Sequence, residues 1–557
     1  MSETAWKARR LAGLKENPKA QVLIMGGGIN GLATFRDLAL QGIDVVLVEK
    51  NDYCSGASAA SSHMIHGGVR YLENGEIRLV KESLQERNRL LAAAPHYVKP
   101  LKTTIPIFSV FSGLLSAPIR LFTHAQGKPK ERGAILIKVG LILYDTFGRN
   151  GGTMPRHRFL GKKKSMRELP ALNKDVKFTA TYYDAAMENP ERLALEVLFD
   201  GLATGPNARA YNYVAAASMV GNQVVLLDEL TGEKINFKAD VIVNTTGPWT
   251  DLTNGSLGFE TTYMAGTKGS HIVIDNQELF EACDNREIFF ENKDGRIVLM
   301  YPIVGKVLVG TTDIPHDMRF PAVCTDEEVD YFFKLVAHVY PTIKIDKSQI
   351  VYKYSGVRPL GASGDINPGV ISRDYRIVRT SSESEVPFLS LVGGKWTTFR
   401  ALGEHLSSDV LKILKKSRRV STADLPLGGG RDFPTSVDAQ QRWAESNGKS
   451  VGTERALQLL LRYGTRATEL IHEISLKGET KLAANPDYTD TEIQYLLRSE
   501  QVARLDDIIH RRTNLAFSGD VTDSLVKELE LLLTKWQAGE KSSEPKLHLN
   551  LDEGSRI

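Results

Sequence analysis

Three glycines near the start of the chain have the spacing of a dinucleotide-binding turn. Gly26-x-Gly28-x-x-Gly31 follows a short apolar run, 21–25, and opens a helical pattern that ends at Gly42. In this spacing Gly26 permits a tight turn, Gly28 lets the backbone approach a pyrophosphate, and Gly31 lets the helix pack against the strand. The anion would lie at the positive end of the helix dipole. The motif predicts a bound dinucleotide and leaves FAD and NAD as alternatives.

An acidic residue after the next apolar run strengthens this prediction. Residues 44–48 form a second strand pattern, and Glu49 follows 18 residues after Gly31. A carboxylate at this point can accept a hydrogen bond from a ribose hydroxyl and would repel a 2′-phosphate. The order of strand, turn, helix, strand and acid makes a purely structural glycine turn the lesser alternative.

Two later segments favour FAD over NAD. Small residues in 52–72 allow the backbone to run along an extended cofactor, and Ser61 and Ser62 offer hydroxyls to a phosphate or a ring. Gly393 and Gly394 follow an apolar run and begin a helical pattern. A helix N-terminus there would suit the N1/O2 edge of a flavin, where negative charge grows on reduction.

The motifs resemble, in chain order, those of the FAD-dependent glycerol-3-phosphate dehydrogenase family, within the D-amino-acid-oxidase-like flavoproteins. The resemblance covers roughly residues 20–515, and the chain departs from the family at His63, where a lysine is usual. The matching stretches are 65–72 (IHGGVRYL), 244–251 (NTTGPWTD), 268–271 (KGSH), 310–313 (GTTD), 354–359 (YSGVRP), 373–375 (RDY), 393–400 (GGKWTTFR) and 511–513 (RRT).

The resemblance implies oxidation of sn-glycerol 3-phosphate to dihydroxyacetone phosphate, with FAD as hydride acceptor and electrons passed to membrane quinone. A glycerol-3-phosphate oxidase, which reduces oxygen to hydrogen peroxide, is the nearest alternative, and a flavin-containing RNA-binding protein is a remote one. The predicted cofactor-binding residues are Gly26, Gly28, Gly31, Glu49, Ser61, Ser62, Gly67, Gly68, Thr245, Gly247, Gly393, Gly394, Thr397 and Thr398.

Oxidation of a secondary alcohol requires a base for the hydroxyl proton and an acceptor for the hydride. His66 and His271 are the candidates for the base, with His63 as a weaker third, although a single histidine more often has a structural role. Lys395 could stabilise a reduced flavin or a developing alkoxide.

A phosphate-bearing substrate requires cations, and arginine is preferred where bidentate geometry matters. By resemblance, Arg70 and Arg358 are the best candidates, and both are also assigned to the catalytic set. Arg373, Lys268 and His271 complete the predicted substrate-binding residues.

The net charge of +3 conceals a basic segment, residues 99–164, with 13 Lys and Arg against 2 acids. Aliphatic runs interleave with these cations, which is typical of an element that lies on a membrane surface with anionic headgroups. A core-packed helix pair is one alternative, and a nucleic-acid surface is disfavoured because the apolar residues are mainly aliphatic. The longest uncharged stretch, 103–119, is shorter than the roughly 20 residues that span a bilayer.

We therefore expect no transmembrane helix and no signal peptide, and a peripheral location on the cytoplasmic face of the bacterial inner membrane. A homodimer is left open. Three scattered cysteines exclude a disulfide framework, a four-cysteine zinc site and a cysteine-ligated iron–sulfur cluster, and no metal site is predicted.

The predicted fold class is α/β plus α. An N-terminal extension (1–20) precedes a Rossmann-type FAD-binding domain (20–425) that contains an inserted β-rich substrate region (251–375). Prolines and glycines between 426 and 434 mark a linker, after which helical periodicity predicts a C-terminal α-helical cap (435–535). A polar tail (539–557) ends the chain.

Overall fold

The computed structural model describes residues 6, 10–69, 76–110, 134–148, 154–292, 297–362, 374–380 and 386–539. Two predicted substrate residues, Arg70 and Arg373, lie outside these ranges, as do residues 111–133 and 149–153 of the basic segment and residues 540–557 of the predicted tail.

Strands and helices are interspersed up to residue 413, and the described residues after that, up to 539, contain helices and no strand. The strands are β1 (Lys19–Met25), β2 (Val45–Val48), β3 (Met64–Ile65), β4 (Val98–Ile107), β5 (Arg158–Gly161), β6 (Phe178–Met187), β7 (Ala208–Tyr211), β8 (Val214–Val220), β9 (Gln223–Asp228), β10 (Lys234–Asn244), β11 (Met264–Ile274), β12 (Glu287–Glu291), β13 (Ile297–Ile303), β14 (Lys306–Gly310), β15 (Ile314–Pro315), β16 (Ile350–Gly361), β17 (Arg376–Thr380) and β18 (Phe388–Val392). The helices are α1 (Ala12–Glu16), α2 (Ile29–Leu40), α3 (Ile77–Ala93), α4 (Ala134–Gly148), α5 (Lys162–Glu168), α6 (Pro190–Leu202), α7 (Thr250–Ser256), α8 (Gln277–Cys283), α9 (Asp326–Val339), α10 (Phe399–Ile413), α11 (Val437–Asn447), α12 (Thr453–Tyr463), α13 (Ala467–Lys477), α14 (Asp490–Ser499), α15 (Leu505–Asp507), α16 (Leu515–Ser518) and α17 (Asp523–Ala538).

The first sheet has a parallel centre in the order β7-β2-β1-β10-β18. Both faces are covered, so residues 22–25 of β1 and all of β2 are continuous buried apolar runs. Helix α2 packs between α6 and α10 on one face. The chain order reverses at β1, and a ligand crevice forms at the carboxyl ends of strands at such a switch point. The predicted Rossmann-type architecture is confirmed.

The second sheet, in the order β15-β11-β14-β13-β12-β4-β6-β3, carries β16 on β11 and β5 on β6. Four of its strands, β3 to β6, come from before residue 251, so the β-rich region is not confined to the expected insertion 251–375. The link is long-range: Thr103 donates a hydrogen bond to Glu287 across the β4–β12 junction (2.8 Å). Local sequence pattern carries no signal for such a pairing.

The basic segment 99–164 was expected to form one interfacial element, and its described part does not. Strand β4 belongs to the second sheet, and strand β5 pairs with β6. Helix α4 instead exposes four apolar side chains, Ile135, Val139, Ile142 and Leu143. Within the described residues no helix is long and apolar enough to cross a membrane.

Helices α11 to α17 form the C-terminal domain around a core of its own, as predicted. Most of its helices have a typical capping residue at one end. For example, the Thr489 side chain is the N-cap of α14 and accepts a hydrogen bond from an amide of the first turn. This domain packs on the first sheet and on the loop that follows β2.

Candidate active site

The first glycine turn connects β1 to α2 and is tightly packed. Gly26 has a φ of +105°, and a Cβ there would lie 2.7 Å from the Thr245 carbonyl oxygen. A Cβ at Gly31 would lie 2.6 Å from the Thr245 hydroxyl oxygen. That hydroxyl donates to the carbonyls of Met25 (2.9 Å) and Gly26 (3.0 Å). Thr245 therefore braces the turn from behind, a role that differs from the predicted cofactor contact.

The second glycine turn meets the first at Asn30. Gly394 has a φ of +105°, and a Cβ there would lie 2.6 Å from the side-chain nitrogen, Nδ2, of Asn30. The Asn30 Oδ1 atom is buried and has no hydrogen-bond partner among the described residues. Sequence analysis missed Asn30, because only the fold brings residue 394 beside the start of α2.

Glu49, the carboxylate predicted to bind a ribose hydroxyl, is oriented by the backbone of the glycine turn. Glu49 accepts hydrogen bonds from the amides of Gly27 (2.6 Å) and Asn51 (2.8 Å). Burial raises the pKa of Glu49, although both amide contacts oppose this shift. The carboxylate is thus fixed beside the glycine turn.

The Ser-rich loop joins the two glycine turns. Ser58 accepts a hydrogen bond from the Ile29 amide through Oγ (3.0 Å) and one from the Trp396 indole through its carbonyl (2.9 Å). The Thr397 hydroxyl donates to the carbonyl of His66 (3.1 Å). The predicted residues Gly393 (φ +88°) and Thr398 lie in the same buried turn, and Gly247 (φ +61°) follows β10.

The predicted serine hydroxyls make contacts within the protein. Ser61 Oγ accepts from the His63 amide (3.2 Å), and Ser62 Oγ lies 2.9 Å from Nε2 of His271. Tyr354 donates to the Ser61 carbonyl (2.8 Å). This part of the loop is therefore attached to β11 and β16.

His271 and Arg358 lie on one face of the β11–β16 pair. His271 is paired with Tyr354, and Thr267 with Arg358, so these side chains point the same way. The imidazole stacks on the Tyr354 ring with 4.9 Å between centroids. Burial lowers the pKa of His271 well below its usual value, and the Arg358 charge acts in the same direction. His271 is therefore neutral near pH 7, as a general base must be.

Arg358 is held in place by the loop after β14. Its guanidinium contacts Asp313 Oδ1 (3.1 Å), the Thr311 hydroxyl (2.9 Å) and the Thr312 carbonyl (2.9 Å). The side chain is about one quarter exposed. It combines a fixed positive charge with access to solvent.

The structure places Lys268, a predicted substrate-binding residue, apart from His271 and Arg358. Lys268 alternates with His271 along β11, so it points to the opposite face. Its ammonium group donates to Glu328 (2.7 Å) and to the Val323 carbonyl (2.6 Å). A buried lysine requires such a partner, and here the partner is supplied by α9, far along the chain.

Lys395 lies between the second glycine turn and a group of acids. Burial lowers its pKa to about 8, although the charges of Glu82, Glu76 and Asp184 oppose this shift. A lysine poised near neutral pH is typical of functional sites.

The His66–Gly68 stretch follows β3. The Gly67 amide donates to Asp184 (3.1 Å) and to the Tyr144 hydroxyl (2.9 Å), so it is engaged within the protein. Gly68 has a φ of +76°. Sequence analysis missed this support because Tyr144 and Asp184 come from α4 and β6.

His63, the weaker candidate for the base, faces the helical domain. Its ring lies 4.7 Å from that of Phe517, and its Nδ1 lies 3.2 Å from the Glu188 carbonyl oxygen. Because a carbonyl only accepts, Nδ1 carries the proton. Burial lowers the pKa of His63 to about 4. These contacts indicate a structural role.

Comparison with known proteins agrees with this geometry. Residues 21–400 match the family described as FAD dependent oxidoreductase, and residues 420–536 match the C-terminal domain of alpha-glycerophosphate oxidase. A glycerol-3-phosphate dehydrogenase from Synechocystis sp. is 33% identical over 524 residues and covers 90% of each chain. The chain belongs to the FAD-dependent glycerol-3-phosphate dehydrogenase family.

Other members of the family and the fold are also similar. A D-erythritol 1-phosphate dehydrogenase from Brucella abortus is 31% identical, over 90% of this chain and 95% of that protein. The crystal structure of the glycerol-3-phosphate dehydrogenase from Bacillus halodurans complexed with FAD matches with a TM-score of 0.71 and 24% identity. It covers 96% of this chain and 93% of that chain, which shows the same fold.

FAD is the cofactor of this flavoprotein, as predicted, and the residues present fit it. The glycine turn leaves no room for side chains, the N-terminus of α2 offers amide donors, and the buried Asn30 oxygen is available to a donor. These features lie at the first glycine turn and beside the second, as an extended cofactor that contacts both turns would require.

Proposed function

We propose that this protein oxidises sn-glycerol 3-phosphate to dihydroxyacetone phosphate. The observation that carries the proposal is a neutral, buried imidazole beside a fixed guanidinium on one face of β11 and β16, namely His271 and Arg358. When bound, FAD accepts the hydride from the alcohol carbon. The family relatives named glycerol-3-phosphate dehydrogenase support this substrate.

In this proposal His271 removes the hydroxyl proton. Burial holds the pKa of His271 well below its usual value, so the imidazole is unprotonated at neutral pH, which is the state that a general base requires. Ser62 orients the ring through its contact with Nε2. His66 is the second candidate, since it lies in the matched motif after β3.

Arg358 would bind the substrate phosphate, with Arg70 and Arg373 as further candidates. Asp313 fixes the guanidinium while leaving it partly exposed, which suits a charge-assisted contact with an anion. Lys395 would stabilise negative charge that develops on the cofactor or on the substrate oxygen, since a large part of its population is charged near pH 7.

The test is anaerobic mixing of the purified flavoprotein with a panel of substrates, following loss of the oxidised flavin band. We expect fast reduction by sn-glycerol 3-phosphate and slow reduction by glycerol, which lacks the phosphate. Erythritol 1-phosphate is the discriminating comparison, because the Brucella relative is named for it. Faster reduction by erythritol 1-phosphate would reassign the substrate.

We further propose that quinone in the inner membrane is the electron acceptor and that the protein binds the cytoplasmic membrane surface. The support is an apolar, solvent-exposed face on α4, formed by Ile135, Val139, Ile142 and Leu143. Exposed cations follow it in the chain at 156, 158 and 162–164. Each cation near anionic headgroups is worth about 1 kcal/mol.

Flotation with anionic vesicles tests this second part. Val139→Asp places a charge in the exposed face and should abolish flotation without slowing anaerobic flavin reduction. Reoxidation of the reduced protein separates the acceptors: fast recovery with quinone supports the dehydrogenase. Fast recovery in air with formation of peroxide would identify an oxidase, the activity for which the C-terminal family is named.

A further inference from the structure

The loop that follows β2 holds the glycine turn on its outer side. Cys54 donates its amide to the carbonyl of Gly27 (2.9 Å), and Glu49 accepts the amide of Gly27 (2.6 Å). A Cβ at Gly27 would lie 2.9 Å from both the Tyr53 ring and the Glu49 side chain. Residues 49–54, which we call the ribose loop, therefore fix the position of the turn and of the predicted ribose acid.

The C-terminal helical domain binds this same loop through Asp52. Asp52 is only 1% exposed. Its carboxylate accepts hydrogen bonds from Arg511 Nε (2.5 Å), from both terminal nitrogens of Arg512, and from the side-chain amide of Asn212 (2.9 Å). Tyr53 adds a second link, since its hydroxyl donates to Gln501 (3.0 Å). Burial disfavours the charge on Asp52, but the two guanidinium groups hold the pKa of Asp52 below its usual value.

The two arginines are themselves held rigidly. They lie on a π-helical turn, Ile508–Arg512, a wide turn that occurs frequently at functional sites. Asp507 accepts from Arg511 (2.7 Å) and also from Tyr213 (2.7 Å). Tyr213 in turn donates its amide to the carbonyl of Asn51 (2.8 Å), inside the ribose loop. Both sides of the contact are therefore fixed by hydrogen bonds within the protein.

We propose that Arg511 and Arg512 are positioning residues for the adenosine half of FAD. The helical domain fixes Asp52, Asp52 fixes the ribose loop, and the loop orients Glu49 and Gly27 toward the dinucleotide. This gives the helical domain a role in cofactor retention, in addition to any role in covering the substrate. The inference rests on FAD binding and is independent of the substrate.

The test compares full-length variants in FAD binding. Arg512→Gln removes the bidentate contact with Asp52. Arg512→Lys keeps the positive charge but lacks the planar guanidinium that makes a bidentate contact. Arg455→Gln is the matched control, because Arg455 pairs with Glu479 (2.9 Å) and Glu492 (2.8 Å) within the same domain and does not contact the ribose loop. FAD release from the holoprotein, the FAD dissociation constant after removal of FAD, and ADP competition for rebinding are measured for each.

We expect Arg512→Gln to raise the dissociation constants of FAD and ADP by the same factor, at least about tenfold, or about 1.4 kcal/mol. Arg512→Lys should recover part of the loss. Arg455→Gln should lower the melting temperature and leave both constants unchanged. ADP is decisive because it contains the adenosine and the pyrophosphate of FAD and lacks the riboflavin part.

Three results would overturn the proposal: unchanged FAD affinity in Arg512→Gln, weaker FAD binding with unchanged ADP binding, or an equal loss in the Arg455 control. If Arg512→Gln does not fold, Arg511→Gln provides the same comparison. Arg511 is 11% exposed and makes only one of the contacts with Asp52, so its loss is milder.

Discussion

Replacement of His271 by asparagine removes the proposed base while keeping a smaller side chain that can still form hydrogen bonds. A positioned general base contributes about 10²–10⁴-fold to a proton transfer. We therefore expect His271→Asn to slow anaerobic flavin reduction by that factor, or by about 3–5 kcal/mol in the barrier. Stopped-flow measurement at saturating sn-glycerol 3-phosphate isolates this step from reoxidation.

The pH dependence sharpens this prediction. Burial holds the pKa of His271 well below the ordinary value of 6.5, so the base stays neutral as the pH falls from 8 through 6.5. Protonation of His271 should then cause no loss of rate across this range, where a solvent-exposed histidine would lose activity. A gain of at most about twofold is expected as Lys395, whose pKa is about 8, becomes fully charged.

Two variants serve as controls for His271. Ser62→Ala removes the partner of Nε2 (2.9 Å) and keeps the ring, so about 1 kcal/mol, or roughly fivefold in rate, is expected. His66→Asn should have the smaller effect of the two histidine replacements. A loss below about tenfold in His271→Asn, together with a loss above about 100-fold in His66→Asn, would exclude His271 as the base and assign that role to His66.

Three further predictions concern the cofactor site and its surroundings. Gly31→Ala should yield protein without bound FAD, seen as a loss of flavin absorbance, because the new Cβ would lie 2.6 Å from the Thr245 hydroxyl oxygen. Lys395→Met should slow flavin reduction. It should also raise the free energy of unfolding at pH 7 by about 2–3 kcal/mol, because burial lowers the pKa of Lys395 to about 8 and so penalises its charged form. This gain in stability should shrink as the pH rises from 8 to 10.5, because the wild-type lysine is then uncharged in the folded protein. Lys268→Met leaves Glu328 buried without its cation and should destabilise the protein by about 3–5 kcal/mol in thermal unfolding, with the KM for substrate unchanged; a raised KM at unchanged stability would return Lys268 to the substrate site.

The cofactor half of the site could be predicted from sequence because its signals are local. The spacing of Gly26, Gly28 and Gly31 encodes a turn between adjacent elements, and Glu49 ends the next strand. The second turn at Gly394 was recognised for the same reason. Each of these features depends on at most a few neighbouring residues.

The supporting contacts could not be predicted, since they join residues that are distant in the chain. Asn30 meets Gly394, Gly67 meets Asp184, and Asp52 meets Arg512 only after the sheets and the helical domain have assembled. Strand alternation explains why Lys268 lies apart from His271. Its motif also contains His271, but residues three apart on a strand point to opposite faces.

We propose that one face of the β11–β16 pair binds a phosphorylated secondary alcohol for oxidation by FAD. The most direct measurement is a single anaerobic turnover of the purified protein with sn-glycerol 3-phosphate, in which reduced flavin and product are both quantified. We expect one dihydroxyacetone phosphate for each flavin reduced, and we expect both signals to develop about 10²–10⁴-fold more slowly in His271→Asn. Flavin that stays oxidised in the presence of this substrate would contradict the account.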